Sequence, residues 1–289
     1  MPKIILPSLL RILDLLKSAE KQLRAAGIES AQREAEWLLT AILQTDRANL
    51  YLMREQRLQQ NEQTQFDALL QRRLTREPLQ YILGSCEFYG FEFAVTPAVL
   101  IPRPETELLV EKVIELAAAF ETPRIIDLGT GSGCIAISLA KLIANAQVVA
   151  IDISAAGLEI AQENAKKLGV TDRIAFRLAD MTKSNSDEQF DIVVSNPPYV
   201  LETERPSLQP EIRAWEPAEA LYVKDDGLKF YRSIIDHCKK HLRTGGWVAC
   251  EMASQRSTAI EKLFRAAGFH EVQIIQDLAG FDRHVIGQK

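Results

Sequence analysis

The run Ile125-Ile126-Asp127-Leu128-Gly129-Thr130-Gly131-Ser132-Gly133 constrains this chain more than any other segment. A short apolar stretch of strand-forming character leads straight into glycines at alternate positions, and an apolar helical stretch begins at once behind them. A glycine turn between a buried strand and a helix belongs to an open α/β sheet, where ligands bind beyond the carboxyl ends of the strands. The rest of the chain agrees. Strands are predicted at Arg124 to Asp127, Gln147 to Asp152, Arg173 to Leu178 and Asp191 to Ser195, with helical segments between them, and a helix from about Glu105 to Phe120 precedes them. Such alternation predicts a parallel, doubly wound sheet. Further strands at Trp247 to Glu251, Glu271 to Ile275 and near His284 to Ile286 complete it. The apolar stretch from Cys134 to Ile151 approaches the length of a membrane span, but Lys141, Asn145 and Gln147 break it into a buried helix and a parallel strand.

The chain before this region has another character. Almost without glycine, it places apolar residues at helical spacing in several segments. Leu9, Ile12, Leu13, Leu16 and Leu23 mark a first helix, opened by Ser8 and closed by Gly27; Ala31, Ala35, Leu38, Leu39 and Ile42 mark a second. Phe66, Leu69, Leu70 and Leu74 mark another, capped by Asn61 and ended before Pro78. From Gln80 to Val95 aromatic and β-type residues surround Gly84 and Gly90, which predicts a hairpin. The expected organisation is a helical bundle over residues 1–78, a β-hairpin linker over 79–100 and an α/β domain over 101–289.

Composition narrows the function classes. Of 289 residues, 47% are hydrophobic and 25% charged, ordinary values for a globular chain. The net charge is −5, and the excess acid falls in the α/β part, which suits duplex phosphates poorly because such binding relies on Lys and Arg. No direct nucleic-acid contact is therefore expected. Cys86, Cys134, Cys238 and Cys250 show no paired spacing, which predicts free thiols in a reducing, cytoplasmic setting and no zinc site. His237 and His241 lie one helical turn apart without an acidic third ligand, so no metal is expected. The Lys166-Lys167 and Arg72-Arg73 pairs read as solvated helix faces. The N-terminus lacks a signal-peptide pattern and reads as mature sequence.

Two groups of residues carry the expected chemistry. Gly129, Thr130, Gly131, Ser132 and Gly133 let the backbone approach a ligand closely, with the next helix offering free N–H groups. A dinucleotide fingerprint would need glycine or alanine at position 134, where Cys134 stands. Asp152, ending the second strand, is placed to accept hydrogen bonds from ribose hydroxyls. Asp180 is placed to meet an adenine amino group, with Met181 packing on the ring. The fourth strand ends in Asn196-Pro197-Pro198-Tyr199 at the same sheet edge. This motif suits an amide or amino nitrogen whose lone pair is delocalised and therefore a poor nucleophile. The Asn196 side-chain oxygen and the Pro197 carbonyl can each accept one N–H hydrogen, aiming the nitrogen at an electrophilic methyl group and favouring developing positive charge. The prolines hold that carbonyl's direction, and Tyr199 offers a flat face to a planar substrate group.

The Asn-Pro-Pro-Tyr motif behind a G-x-G-x-G turn resembles class I amino-methyltransferases. Together with Leu100-Ile101-Pro102-Arg103-Pro104-Glu105-Thr106-Glu107 and Asp277-Leu278-Ala279-Gly280-Phe281-Asp282-Arg283, it resembles the PrmC/HemK family of protein-(glutamine-N5) methyltransferases over nearly the whole chain. That resemblance implies a class I, Rossmann-like domain using S-adenosylmethionine. It implies methylation of the glutamine in the Gly-Gly-Gln motif of class 1 peptide chain release factors, proteins of translation termination, with the helical domain helping to hold them. Gly129 to Gly133 and Asp152 would bind the cofactor, Asn196 to Tyr199 the glutamine, and Arg103, Glu105 and Thr106 would form a loop near the pocket. The chain departs from the family's Glu-x-Gly-x-x-Gln, reading Glu251-Met252-Ala253-Ser254-Gln255. A DNA or RNA amino-methyltransferase is the rival reading, because exocyclic base amines pose the same chemical problem.

Overall fold

The architecture was obtained as a computed structural model that describes residues 10–183 and 187–289. Packing divides the chain into two units, Met1–Gly84 with Pro210–Trp215, and Ser85–Gln209 with Glu216–Lys289.

The first unit is helical: α1 (Ile12–Ala25), α2 (Ala31–Leu43), α3 (Arg47–Leu52), α4 (Gln60–Leu74) and α5 (Leu79–Leu83), joined by the later segment Pro210–Trp215, which is α9 in chain order. The buried line of α1 is Ile12, Leu15, Ala19 and Leu23, packed against Ala31, Ala35, Leu38 and Leu39 of α2 and Phe66 and Leu70 of α4. Ser8 and Leu9 lie outside the described residues. Asn61 is not the cap of α4: the helix starts at Gln60, and the Glu62 carboxylate accepts the Gln59 N–H at 2.7 Å. Residues 79–83 are helical instead of part of a hairpin. Pro78 and the left-handed Gly84 frame one helical turn that buries Leu79, Tyr81 and Ile82. Sequence periodicity also missed α3, a short helix whose Asn49 N–H is capped by Asp46 at 2.8 Å.

Arg73 corrects the expectation of a solvated face. It is buried, giving its Nε to Glu34 at 2.5 Å and an Nη to Glu211 at 2.9 Å. Arg76 grips the second oxygen of Glu211 at 2.6 Å, and Ser30 donates to Glu34 at 2.9 Å. Two carboxylates thus balance two guanidiniums, which is what makes such charges tolerable inside a bundle.

In the second unit a hairpin of β1 (Ser85–Phe88) and β2 (Phe91–Ala94) turns through Tyr89 and Gly90, both at positive φ. Phe88 and Phe93 meet edge to face at 6.0 Å. Then come α6 (Pro104–Ala117), β3 (Arg124–Leu128), α7 (Cys134–Leu142), β4 (Gln147–Asp152), α8 (Ala155–Leu168), β5 (Ile174–Leu178) and β6 (Phe190–Ser195). A small parallel pair, β7 (Val200–Leu201) and β8 (Tyr222–Val223), encloses α10 (Ala218–Leu221) in sequence. The chain ends with α11 (Lys229–His241), β9 (Leu242–Glu251), α12 (Ser257–Ala266), β10 (His270–Gln276) and β11 (Asp282–Gln288).

Among the described residues the main sheet has seven strands in the order β10-β11-β9-β6-β3-β4-β5, parallel except where β11 pairs with its two neighbours. Alternate residues of each central strand enter opposite cores: Ile125, Val148, Ala150, Ile192 and Val194 on one face, Ile126, Val149, Ile151 and Val193 on the other. Burial on both faces explains the unbroken apolar runs. The α/β class read from the sequence holds. Among the described residues no helix is long and apolar enough to cross a membrane. His237 and His241 are buried on α11 with rings 4.6 Å apart, and burial pushes His237 down to about 4.

Arg73→Met should lower unfolding stability by about 3 kcal/mol, because it strands Glu34 without its partner. Chemical denaturation would measure this, and an unchanged midpoint would contradict the buried ion-pair assignment.

Candidate active site

Four neighbouring strands, β9, β6, β3 and β4, end at the carboxyl edge of the sheet. Parallel pairing sets Leu128 beside Ile151 and Asp127 beside Val194, while Ser195 lies opposite Cys250. The glycine turn after β3 is tied to β4 by Gly129 and Thr130, whose N–H groups both donate to the Ile151 carbonyl at 2.9 Å. Gly133, at φ 81°, caps α7; a Cβ there would stand 2.7 Å from Ile137 and 3.1 Å from Ala161. Glycine is therefore needed for helix packing as well as for the turn. A Cβ on Gly131 would meet open space, so the turn's tip is accessible to a ligand.

Asp152 reaches back into this turn. One of its oxygens accepts the Gly131 N–H at 2.7 Å and the other the Ser154 N–H at 2.9 Å, each keeping a further lone pair. Asp180 accepts both the backbone N–H and the hydroxyl of Thr182, at 2.9 and 2.6 Å, and those bonds hold its carboxyl below the usual range. Met181 lies about a van der Waals contact from the position a Cβ on Gly129 would take, 3.8 Å away. Gly129 to Gly133, Asp152 and Met181 are thus gathered at one sheet edge, with Asp180 following β5 beside them.

Asp127, not singled out as a site residue from the sequence, stands in the same place. It is fully buried and accepts the Thr130 hydroxyl at 2.7 Å; among the described residues its Oδ1 has no hydrogen bond of full geometry, the Ala136 backbone N–H being the donor that also acts on the carboxyl. Burial pushes its carboxyl up to about 7; the Thr130 hydroxyl opposes this and the Asp152 charge adds to it. A buried carboxyl oxygen so placed beside a glycine turn fits a positively charged group of a ligand. The signal was visible as an acid in an otherwise apolar strand end.

Beyond β6, Asn196, Pro198 and Tyr199 are half-buried and Pro197 is buried. The Ser195 hydroxyl donates to the Leu128 carbonyl at 2.6 Å, locking the start of this segment to the end of β3. The Asn196 Nδ2 donates to the Thr106 hydroxyl at 3.2 Å; among the described residues its Oδ1 has no protein partner. The Tyr199 hydroxyl donates to Glu251 at 3.0 Å, and burial together with that carboxylate pushes the phenol far above its ordinary range. Glu251, at the end of β9, also accepts the Thr106 hydroxyl at 2.6 Å, while burial raises its own pKa. Sequence reasoning flagged residues 101–107 and 251–255 without assigning them roles; neither could be linked to Asn196 from its own neighbours.

The remaining loop residues are held in definite ways. Arg103 forms an ion pair with Glu216, which also accepts the Ile101 N–H at 3.3 Å. Ala253, standing where glycine is usual, has an ordinary extended φ of −73°, so no glycine is required there. Among the described residues no cluster of His, Cys, Asp and Glu suited to a metal ion occurs.

Residues 14–84 match the family described as PrmC N-terminal domain, and residues 120–272 match a family described as methyltransferase domain. The chain is 39% identical to a release factor glutamine methyltransferase of Geobacter sulfurreducens, covering 98% of each protein. It is 41% identical to one of Cereibacter sphaeroides, covering 96% of this chain and 98% of the relative. Among solved structures, the hMettl16 catalytic domain in complex with the MAT2A 3′UTR hairpin 6 matches with a TM-score of 0.56 at 18% identity, over 69% of this chain and 76% of that one. A Pyrococcus furiosus methyltransferase matches with a TM-score of 0.50 at 19% identity, over 70% and 90% respectively. Identities this low speak for the fold alone.

The contribution of Asp127 to the stability of the ligand-free protein should fall as pH rises from about 4 to about 7, because Asp127 keeps its proton in the fold over a range in which the unfolded chain has lost it. Asp127→Asn removes this titration. Its stability relative to the parent should improve by roughly 3 kcal/mol between about pH 4 and about pH 8, measured by denaturation at each pH; a constant difference would contradict the raised value.

Proposed function

This chain belongs to the release factor glutamine methyltransferase family, and we propose on that premise how its own residues divide the work. The reaction moves a methyl group from S-adenosylmethionine to the side-chain amide nitrogen of a release-factor glutamine, in the Gly-Gly-Gln motif of class 1 factors. When bound, the cofactor supplies an electrophilic methyl group on a sulfonium. Residues 129–133 would hold it against the open tip of the glycine turn, Asp152 would take its ribose hydroxyls, and Asp180 with Met181 its adenine. Asp127 would face one of its positive groups with its Oδ1, which among the described residues has no hydrogen bond of full geometry.

The observation that carries the reading is the placement of Asn196. It follows the strand paired with β3, and among the described residues its Oδ1 has no protein partner. An amide nitrogen donates two hydrogens. With one directed to Asn196 Oδ1 and the other to the Pro197 carbonyl, its plane and direction are set, and the two acceptors favour the positive charge that develops as the lone pair attacks. The nitrogen–methyl bond would form as the sulfur–methyl bond breaks, the sulfur keeping that electron pair as a neutral thioether, and the nitrogen would then release one proton to solvent. Tyr199, its hydroxyl tethered to Glu251, offers its ring to the planar amide. Orientation of this kind supplies much of the acceleration, since the nucleophile is intrinsically weak. The release factor is the partner, the helical unit is a candidate for holding it, and the cytoplasm is where this substrate would be met.

Asn196→Ala should reduce single-turnover methylation of a release factor by about 100-fold or more, with cofactor affinity nearly unchanged. Near-normal turnover would overturn the role given to its side chain. Asp152→Ala should instead weaken cofactor binding, and calorimetry showing an unaltered affinity would defeat that assignment.

A further inference from the structure

We propose that Thr106 and Glu251 are positioning residues that decide which end of the Asn196 side-chain amide faces the substrate. The proposal rests on the reaction assigned above and concerns two residues that touch neither substrate nor cofactor in it.

A threonine hydroxyl has one hydrogen to give. Thr106 gives it to Glu251 Oε2 at 2.6 Å, so towards Asn196 it can only accept. The group that approaches it at 3.2 Å is accordingly the Asn196 NH2, a donor. Rotating that amide by half a turn would set its carbonyl oxygen against the hydroxyl's lone pairs. The orientation with Nδ2 on Thr106 therefore prevails, and Oδ1 is left as an acceptor for a substrate N–H. With the amide reversed, the substrate would meet a donor where the chemistry needs an acceptor.

Glu251 makes the arrangement directional. Its carboxylate lies at the end of β9 with 1% of its surface exposed. Tyr199 donates to its Oε1 at 3.0 Å, and the Tyr231 hydroxyl donates to its backbone carbonyl at 2.9 Å, so side chain and backbone are both pinned. The groups facing the carboxylate are Glu105 and Thr106 from α6, Tyr199 beyond β6, and Arg283 and His284 from β11, the His284 ring standing 4.0 Å from Oε2. Burial pushes His284 down to about 4, so a neutral imidazole sits there, while the hydroxyls of Thr106 and Tyr199, both donating to Glu251, and the Arg283 charge oppose the burial that raises the carboxyl. One carboxyl group thus orients both polar side chains of the Asn-Pro-Pro-Tyr motif, Tyr199 directly and Asn196 through Thr106.

Thr106→Val keeps the shape and removes the hydroxyl, while Thr106→Ser keeps the hydroxyl and removes the methyl. With a release factor as acceptor, Thr106→Val should lower kcat by about 10- to 100-fold while KM and cofactor affinity stay within about threefold; Thr106→Ser should remain within about threefold of the parent. A parental kcat in Thr106→Val, or an equal loss in Thr106→Ser, would overturn the proposal. The side-chain 15N–1H2 resonance of Asn196 tests orientation without any turnover: it should shift in Thr106→Val and hold in Thr106→Ser. An unmoved resonance in the valine variant would refute the positioning role, whereas a parent protein inert on release factors but with the expected shifts would refute the assigned reaction alone.

Discussion

In a parallel pair both strands run the same way, so whatever follows each of them in sequence arrives at the same edge. β3 and β6 are such a pair at the middle of the sheet, with Asp127 beside Val194 and the Ser195 hydroxyl bonded to the Leu128 carbonyl at 2.6 Å. The glycine turn and the Asn-Pro-Pro-Tyr segment are therefore neighbours because the backbone leaves them no alternative. On the proposed reaction, a methyl donor held by the first and an amide held by the second would be brought within reach of each other. Alignment would then do the work that a strong nucleophile does elsewhere.

That edge holds acids in places where burial disfavours their charge. Asp127 and Glu251 are almost wholly buried, and both have raised pKa values with burial as the main cause. Their costs are met differently. Glu251 is satisfied by hydroxyls of Thr106 and Tyr199 and serves to hold other residues still. Asp127 accepts a hydroxyl from Thr130, and among the described residues its other oxygen has no hydrogen bond of full geometry, which leaves it able to face a cationic group. The helical unit solves the same problem with charge balance, pairing Arg73 and Arg76 with Glu34 and Glu211.

The features legible in the sequence are those set by neighbouring residues. Alternating strands and helices, the glycine turn, the acid ending β4 and the motif after β6 all follow from local pattern, and they led to the right sheet, family and chemistry. Misread features depended on distant residues or on a single helical turn. Arg73 looked solvated because one partner, Glu211, lies 138 residues away. Thr106 and Glu251, separated by 145 residues, meet only because α6 and β9 reach the same edge. The helical turn at 79–83 was hidden by aromatic and β-type residues, although Pro78 and Gly84 framed it. Asp127 was passed over because an acid at a strand end has so many structural explanations.

The most direct measurement incubates the purified protein and labelled S-adenosylmethionine with a release factor, with that factor's Gly-Gly-Gln glutamine-to-alanine variant, and with bulk nucleic acid, and then locates the label by mass spectrometry. Label should appear on that glutamine and be absent from the variant and the nucleic acid. Label confined to nucleic acid would contradict the substrate assignment and transfer the same chemistry to an exocyclic base amine.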